Sequence, residues 1–261
     1  MKKAASFALG CKVNQYESEA IAELFQEKGY EIVGIDEEAD VYVINTCTVT
    51  NFGDKKSRQL IRKVKRQNEN AIVAVVGCYA QTAPQELMKV EGVNLVIGTK
   101  DRAQIVEMVE NYKTENGVEN HVSDIMKERV FEPLSIQKLA NRTRAYLKIQ
   151  DGCSQYCSYC IIPYARGPIR SRDPQDVLAE VKRLAENGFK EVVLTGIHVA
   201  SYGKDRKDTS LLEILRQVHE VEGIERIRLG SLEPRIITEK FVKTLCECEK
   251  VCPHFHLSLQ S

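Results

Sequence analysis

Cys153, Cys157 and Cys160 stand close together within Ile149 to Arg172, which reads IQDGCSQYCSYCIIPYARGPIRSR. Their C-x3-C-x2-C spacing puts three thiols on one short loop. Three thiolates so placed can hold three corners of an iron–sulfur cube and leave the fourth iron open to a small molecule. The next cysteines, Cys246, Cys248 and Cys252, lie far along the chain and supply no fourth ligand to that loop. A structural zinc site competes with this reading. Zinc sites commonly take four closed ligands from paired C-x2-C knuckles, and here the partner knuckle is missing. Buried structural cysteines fit poorly with three in one polar loop. Spacing alone favours the iron–sulfur site.

Three more cysteines, Cys11, Cys47 and Cys78, are scattered in sequence, but each follows a predicted strand. The strands run Ala4 to Leu9, Val41 to Asn45 and Ile72 to Val76. In an open α/β sheet the carboxyl ends of parallel strands face a common crevice, so these thiols are expected to converge. Coincidental core cysteines are the alternative, and periodicity leaves both open.

The elements that must carry these residues alternate. A helix is predicted from about Asn14 to Lys28, with Asn14 as N-cap, Glu17 completing a capping box and Gly29 as the stop. A second helix spans Asp54 to Arg66 with Leu60, Ile61 and Val64 inward, a strand covers Asn94 to Ile97, and Asp101 caps a helix bearing Ile105, Val106 and Val109. Residues 113–144 are polar and read as a linker with a hairpin at Asn116-Gly117. Beyond it come strands Ala145 to Ile149, Val192 to Leu194, Arg226 to Leu229 and His254 to Leu257. Helices follow Asp173-Pro174 (ending at Gly188), span Leu211 to Val218 and start at Thr238. The fold class expected is therefore α/β. An N-terminal open parallel sheet domain (1–112) precedes an incomplete (β/α) TIM-type barrel (145–261). Four strands do not close a barrel, so the chain reads as a fragment.

Composition bounds the chemistry. The chain has 261 residues, 43% of them hydrophobic, and its 37 Lys and Arg balance 37 Asp and Glu. A nucleic-acid site must then be a local basic patch. One is visible: Lys55, Lys56, Arg58, Arg62, Lys63, Lys65 and Arg66 crowd the predicted 54–66 helix with no acid among them. Such a face is usually just solvated, but its density and its place beside Cys47 favour phosphate contacts, which position RNA without reading it. The N-terminus reads as a strand and not a signal peptide, and no stretch reaches membrane-spanning length. Nine cysteines without a secretion signal point to a reducing cytoplasm. Cys246, Cys248 and Cys252 match no common metal spacing, and His198 and His219 read as ordinary residues.

With Tyr159 just before its last cysteine, the C-x3-C-x2-C loop resembles the radical S-adenosylmethionine superfamily. LGCKVNQYESE (Leu9 to Glu19), NTCTVT (Asn45 to Thr50) and VVGCYAQ (Val75 to Gln81) resemble the N-terminal domain of the methylthiotransferase family. Tyr164-Ala165-Arg166-Gly167 and Ser171-Arg172 match the same family. The resemblance implies two [4Fe–4S] clusters and S-adenosyl-L-methionine. Cys153, Cys157 and Cys160 would carry the radical cluster, and Cys11, Cys47 and Cys78 an auxiliary one facing it across the substrate. One S-adenosylmethionine would methylate sulfur at the auxiliary cluster, and a second would yield the 5′-deoxyadenosyl radical that takes hydrogen from an adenine C2. Tyr159, Thr195-Gly196, Ser231, Glu233, Arg166 and Arg172 are expected around the cofactor.

The first motif, with Pro253 to Ser261, most resembles the branch acting on N6-threonylcarbamoyladenosine beside the tRNA anticodon. The alternatives are the branch acting on a ribosomal-protein aspartate and a non-catalytic iron–sulfur electron carrier. Expected partners are tRNA, a reductant such as flavodoxin or ferredoxin, and a sulfur donor. No membrane association is expected, and the protein is expected to act as a monomer. Relatives in this family continue past the Gln-Ser end, completing the barrel and adding a C-terminal β-barrel RNA-binding domain, so this chain is expected to bind clusters yet turn over poorly.

Overall fold

The computed structural model describes residues 1–48, 51–136 and 144–259, with side chains described outside 51–54. Val49 and Thr50 of the NTCTVT motif, residues 137–143 of the expected linker, and Gln260 and Ser261 of the last motif lie outside the described residues. The chain folds as two compact units. The first comprises Met1–Glu128, Glu132–Leu134 and Gln155–Gly167, and the second Arg129–Phe131, Ser135–Ser154 and Pro168–Ser261.

The first unit is built on a parallel sheet of order β2-β1-β3-β4-β5-β6. Its elements are β1 (Lys3–Ala8), α1 (Lys12–Glu27), β2 (Glu31–Ile32), β3 (Val41–Thr46), α2 (Asn51–Gln67), β4 (Ile72–Gly77), α3 (Cys78–Thr82), α4 (Pro84–Leu87), β5 (Leu95–Ile97), α5 (Ile105–Asn111), β6 (Glu119–Asn120) and α6 (Ile162–Arg166). The period of two along β3 and β4 sorts the core. Val41, Val43, Ala74 and Val76 pack with Ile21 and Phe25 of α1 and Ile105 and Val109 of α5. Tyr42, Ile44, Val73 and Val75 pack with Ile61 and Val64 of α2. Both faces are covered, which is why these central strands are continuous apolar runs.

Three local expectations change. Helix α1 starts at Lys12 with Cys11 at the N-cap, so Asn14 sits inside the first turn. Its amide faces inward and donates to the carbonyls of Leu9 (2.8 Å) and Thr46 (2.9 Å). Asp101 does not cap through its side chain; it takes φ +62° and opens a 3-10 turn, Arg102–Gln104, ahead of α5. In place of a hairpin, β6 joins β5 in parallel, extending the sheet by one strand.

The second unit contains β7 (Arg144–Asp151), β8 (Arg170–Ser171), α7 (Pro174–Glu186), β9 (Glu191–Gly196), α8 (Leu211–His219), β10 (Arg226–Leu229) and α9 (Glu239–Glu247). The sheet order is β10-β9-β7-β8, with β7, β9 and β10 parallel and β8 antiparallel to β7. This is part of a (β/α) barrel of TIM type. Its helices start on expected caps: the Asp173 carboxylate accepts from Gln175 N (2.9 Å) and the Thr238 hydroxyl from Phe241 N (3.2 Å). Residues 254–257 form no strand and make one isolated bridge, Leu257 to Leu232, beyond the end of β10. Among the described residues no helix is long and apolar enough to cross a membrane.

Candidate functional site

Strands β1, β3 and β4 are neighbours in parallel register, with Ala8 opposite Asn45 and Thr46 opposite Gly77. Their carboxyl ends therefore share one edge. Cys11 stands there at the N-cap of α1, Cys47 just past β3, and Cys78 as the first residue of α3. Cys11 is exposed, while Cys47 and Cys78 are buried, and all three are free of disulfides. The turn before Cys11 presses against Cys47. Gly10 has φ +101°, and a Cβ there would lie 2.6 Å from the Cys47 Cβ and 2.7 Å from its Sγ. Burial pushes the Cys78 thiol up to about 11; Arg166 opposes this, and Cys11 and Glu17 add to it.

Arg166, at the end of α6, is fully buried. It grips Glu17 through Nη1 to Oε1 (2.6 Å) and Nη2 to Oε2 (3.0 Å). Its Nη2 also donates to Asn14 Oδ1 (2.6 Å), and its Nε donates to Cys78 Sγ (3.1 Å). Arg102 reaches the same carboxylate, Nη1 to Glu17 Oε2 at 2.6 Å, and its Nε donates to Glu132 Oε2 (2.9 Å). The carboxylate that Arg166 holds is thus the protein's own. Glu17 does not close a capping box; it lies at 0% exposure between two guanidinium groups. One signal for this was available, since Asn14 and Glu17 are three apart beside the inward-facing Val13 and Ile21.

On the second loop, Cys153 is buried and folds with the second unit. Cys157 is exposed, Cys160 is half-buried, and both fold with the first unit. A turn closes between these two, Cys160 N donating to Cys157 O (2.9 Å). Tyr159 is 72% exposed, and Tyr156 meets Tyr164 edge to face at 6.2 Å. Among the described residues no three His, Cys, Asp or Glu side chains gather tightly enough to hold a single metal ion. Cys246 is exposed, and Cys248 and Cys252 are buried.

At the carboxyl end of the barrel strands, Gln150 is a hub. Its Oε1 accepts from His198 N (2.7 Å) and its Nε2 donates to the carbonyls of Asp151 and Gly152 (both 2.6 Å). Gly196, after the buried Thr195, runs so close that a Cβ would meet Gln150 Oε1 at 2.8 Å. His198 Nε2 lies 3.6 Å from Glu233, and its Nδ1 is 2.6 Å from Ser201 Oγ. Burial holds the His198 imidazole below its ordinary value, against the pull of Glu233. Ser231 Oγ lies 2.8 Å from His256 Nδ1. Arg172 pairs with Glu180 of α7 at 2.6 Å, a buried contact.

The basic helix divides. Arg58 donates to the Tyr79 hydroxyl and to Glu86 (2.6 Å), Lys63 pairs with Asp36, and Lys65 donates to the carbonyls of Glu69 and Ala71. Lys55, Lys56, Arg62 and Arg66 are exposed.

Comparison with known proteins finds matches over most of the chain. Residues 3–98 match the family described as "Uncharacterized protein family UPF0004", and residues 147–261 match the radical SAM superfamily. The threonylcarbamoyladenosine tRNA methylthiotransferase MtaB of Bacillus subtilis is 49% identical over all of this chain and 58% of its own length. Its namesake in Aquifex aeolicus is 43% identical over 99% of this chain and 63% of its own length. The tRNA-2-methylthio-N(6)-dimethylallyladenosine synthase of Clostridium novyi is 37% identical over 97% of this chain and 57% of its own. The chain thus spans about three fifths of the length of these relatives. Among solved structures, the radical S-adenosylmethionine methyltransferase TsrM of Kitasatospora setae superposes with a TM-score of 0.61 at 16% identity, covering 96% of this chain and 58% of that one, a likeness of fold. The chain thus carries a match to UPF0004 followed by a match to the radical SAM superfamily, and over nearly all of its own length it is similar to the tRNA methylthiotransferases named above.

Proposed function

We propose that this chain carries the catalytic machinery of a tRNA methylthiotransferase, which adds a methylthio group to C2 of N6-threonylcarbamoyladenosine next to the anticodon. The observation that carries the reading is the pair of cysteine triplets, one on a single loop and one placed at three adjacent strand ends. Both donor sets are thiol-only, which suits iron–sulfur clusters and not hard cations. The backbone at Gly10, lying where a Cβ would strike Cys47, forms a cradle consistent with three thiolates around one cube. In this reading Cys11, Cys47 and Cys78 hold the auxiliary cluster and Cys153, Cys157 and Cys160 the radical cluster.

When bound, the clusters and S-adenosylmethionine supply the one-electron chemistry that an unactivated adenine C–H bond requires, since that bond has no acidic proton for a base to remove. The chain's own residues hold and orient. The Thr195-Gly196 turn, packed against Gln150, receives the methionine moiety, and Gln150 fixes the turn before Cys153. Ser231 and Glu233 receive polar groups of the nucleoside, with His198 keeping Glu233 in place. Tyr159 packs on the cofactor from the loop. Lys55, Lys56, Arg62 and Arg66 contact phosphates, and the target base enters unstacked. A cytoplasmic, monomeric protein served by a flavodoxin- or ferredoxin-type reductant and a separate sulfur donor completes the proposal.

Nucleoside mass spectrometry of tRNA from cells with and without the gene tests it. Loss of the 2-methylthio form, with N6-threonylcarbamoyladenosine accumulating, is expected. An unchanged adenosine profile overturns the reading in favour of a protein substrate.

A further inference from the structure

We propose that Arg166 is a positioning residue for the cluster at Cys11, Cys47 and Cys78, setting its reduction potential through the sulfur of Cys78. The inference rests on the reading that this triplet holds a cluster, and it gives Arg166 a target other than S-adenosylmethionine.

The argument starts from cost. Arg166, Arg102 and Glu17 are all at 0% exposure. Taking charges out of water is expensive, and an apolar cluster of equal volume often stabilises a fold as well or better, so a buried ionic network is weak grounds for a purely stabilising role. Within it two guanidinium groups, Arg102 and Arg166, face two carboxylates, Glu17 and Glu132. The Nε–H of Arg166 points at Cys78 Sγ across 3.1 Å.

The fork geometry explains why the residue is an arginine. Both terminal nitrogens are fixed on Glu17 and one also on Asn14, so the planar group cannot turn and its third nitrogen is aimed at one place. A lysine would offer a point charge with no fixed direction. Glu17 in turn is held from the far side by Arg102. Asn14 is anchored through Leu9 O and Thr46 O, the backbone flanking Cys11 and Cys47. One connected set of hydrogen bonds therefore reaches the neighbourhood of all three thiols. Outer-shell partners of this kind orient metal ligands, and hydrogen bonds to sulfur and net local charge are what tune iron–sulfur potentials.

The two ends of the network should act in opposite directions. Losing the N–H to sulfur makes the reduced cluster harder to form, so Arg166→Lys lowers the potential. Neutralising the counter-carboxylate exposes the sulfur to more positive charge, so Glu17→Gln raises it.

The test uses the chain with Cys153, Cys157 and Cys160 replaced by Ala, so that one cluster is left, reconstituted anaerobically and titrated by electron paramagnetic resonance. Each substitution is expected to change the reduced-to-oxidised ratio at fixed potential about tenfold, a shift of about 59 mV for one electron. In the unsubstituted network, arginine labelled with 15N is expected to give a nitrogen coupling to the cluster, which Arg166→Lys removes. Iron loading with an unmoved potential in Glu17→Gln overturns the proposal, as does the absence of that coupling in the unsubstituted network, a measurement that holds even where Arg166→Lys fails to fold. A parent chain that loads no iron overturns the reading of the triplet itself, and this proposal with it.

Discussion

Replacing Gly10 with Ala tests the geometry of the N-terminal triplet more sharply than removing a cysteine, because it leaves all six thiols in place. Two costs combine. A non-glycine residue at φ +101° is strained, at about 1–2 kcal/mol. The new methyl also falls 2.6 Å from the Cys47 Cβ. A Cβ cannot rotate away, so relief requires the backbone at Gly10 or at the end of β3 to shift, an overpacking cost of about 1–3 kcal/mol. The total is roughly 2–5 kcal/mol. Gly29→Ala is the internal control. Gly29 also has positive φ, +85°, but nothing lies within 4 Å of its Cβ position, so only the strain of about 1–2 kcal/mol applies. Urea denaturation of the two apo proteins, compared with the parent, reads the difference. Iron per chain after reconstitution reads its consequence: Gly10→Ala is expected to displace Cys47 and lose about half the iron, on the assignment of one of two clusters to this triplet, while Gly29→Ala keeps it all. Equal destabilisation by the two substitutions, or full iron in Gly10→Ala, would refute the claim that Gly10 and Cys47 are packed to fit a common ligand.

Further outcomes follow from the same structure. Cys11→Ala and Cys153→Ala should each remove about half the iron and sulfide in separate preparations, if the triplets load independently; loss of all iron from either would show one shared site. Glu180→Ala removes one side of the buried pair with Arg172 and should cost about 3–5 kcal/mol in the urea midpoint analysis. His198 is held below its ordinary value, so the folded chain keeps it neutral while the unfolded chain gains a proton near about pH 6.5. Stability is therefore lost as pH falls through that range, and His198→Gln should flatten that part of the profile between about pH 7.5 and 5.5. For RNA, Arg62→Glu and Arg66→Glu should weaken tRNA binding in filter assays and lower the salt slope by about 1 each. Arg58→Glu, which breaks contacts to Tyr79 and Glu86, should lower stability as well.

Much of this architecture was written in short-range pattern. The apolar runs VYVIN and IVAVV mark strands covered on both faces, and Asp173-Pro174 and Thr238 mark helix starts; β3, β4, α7 and α9 lie there. The placement of Cys11, Cys47 and Cys78 at strand ends followed from that alternation. What escaped was settled by partners distant in sequence. Asn14 has the chemistry of an N-cap, but its amide is taken by Thr46, across the sheet. Glu17 has the spacing of a capping box, but two arginines far along the chain claim it. The short β6 carries Glu and Asn, with no apolar signature, and exists because the edge of β5 offers it hydrogen bonds. Local propensity cannot register such bonds, because the residues that make them meet only after the sheet has formed.

The glycines beside the cysteines show how the fold and the proposed chemistry depend on one another. Gly10, Gly77 and Gly152 each directly precede a cysteine of a triplet, and each has positive φ: +101°, +95° and +70°. A parallel strand that ran on would carry its next side chain onto the face of the sheet. A left-handed residue at its end instead turns the chain, so that the following cysteine leaves the sheet plane. At Gly77 the same feature lets the backbone pass where a Cβ would come within 2.7 Å of Thr46 O, drawing β4 against the end of β3 just before Cys47. Sites built this way take their precision from the strands and their direction from the glycines. Drift in cysteine geometry is therefore expected from substitutions at these turns, even where the cysteines themselves are untouched.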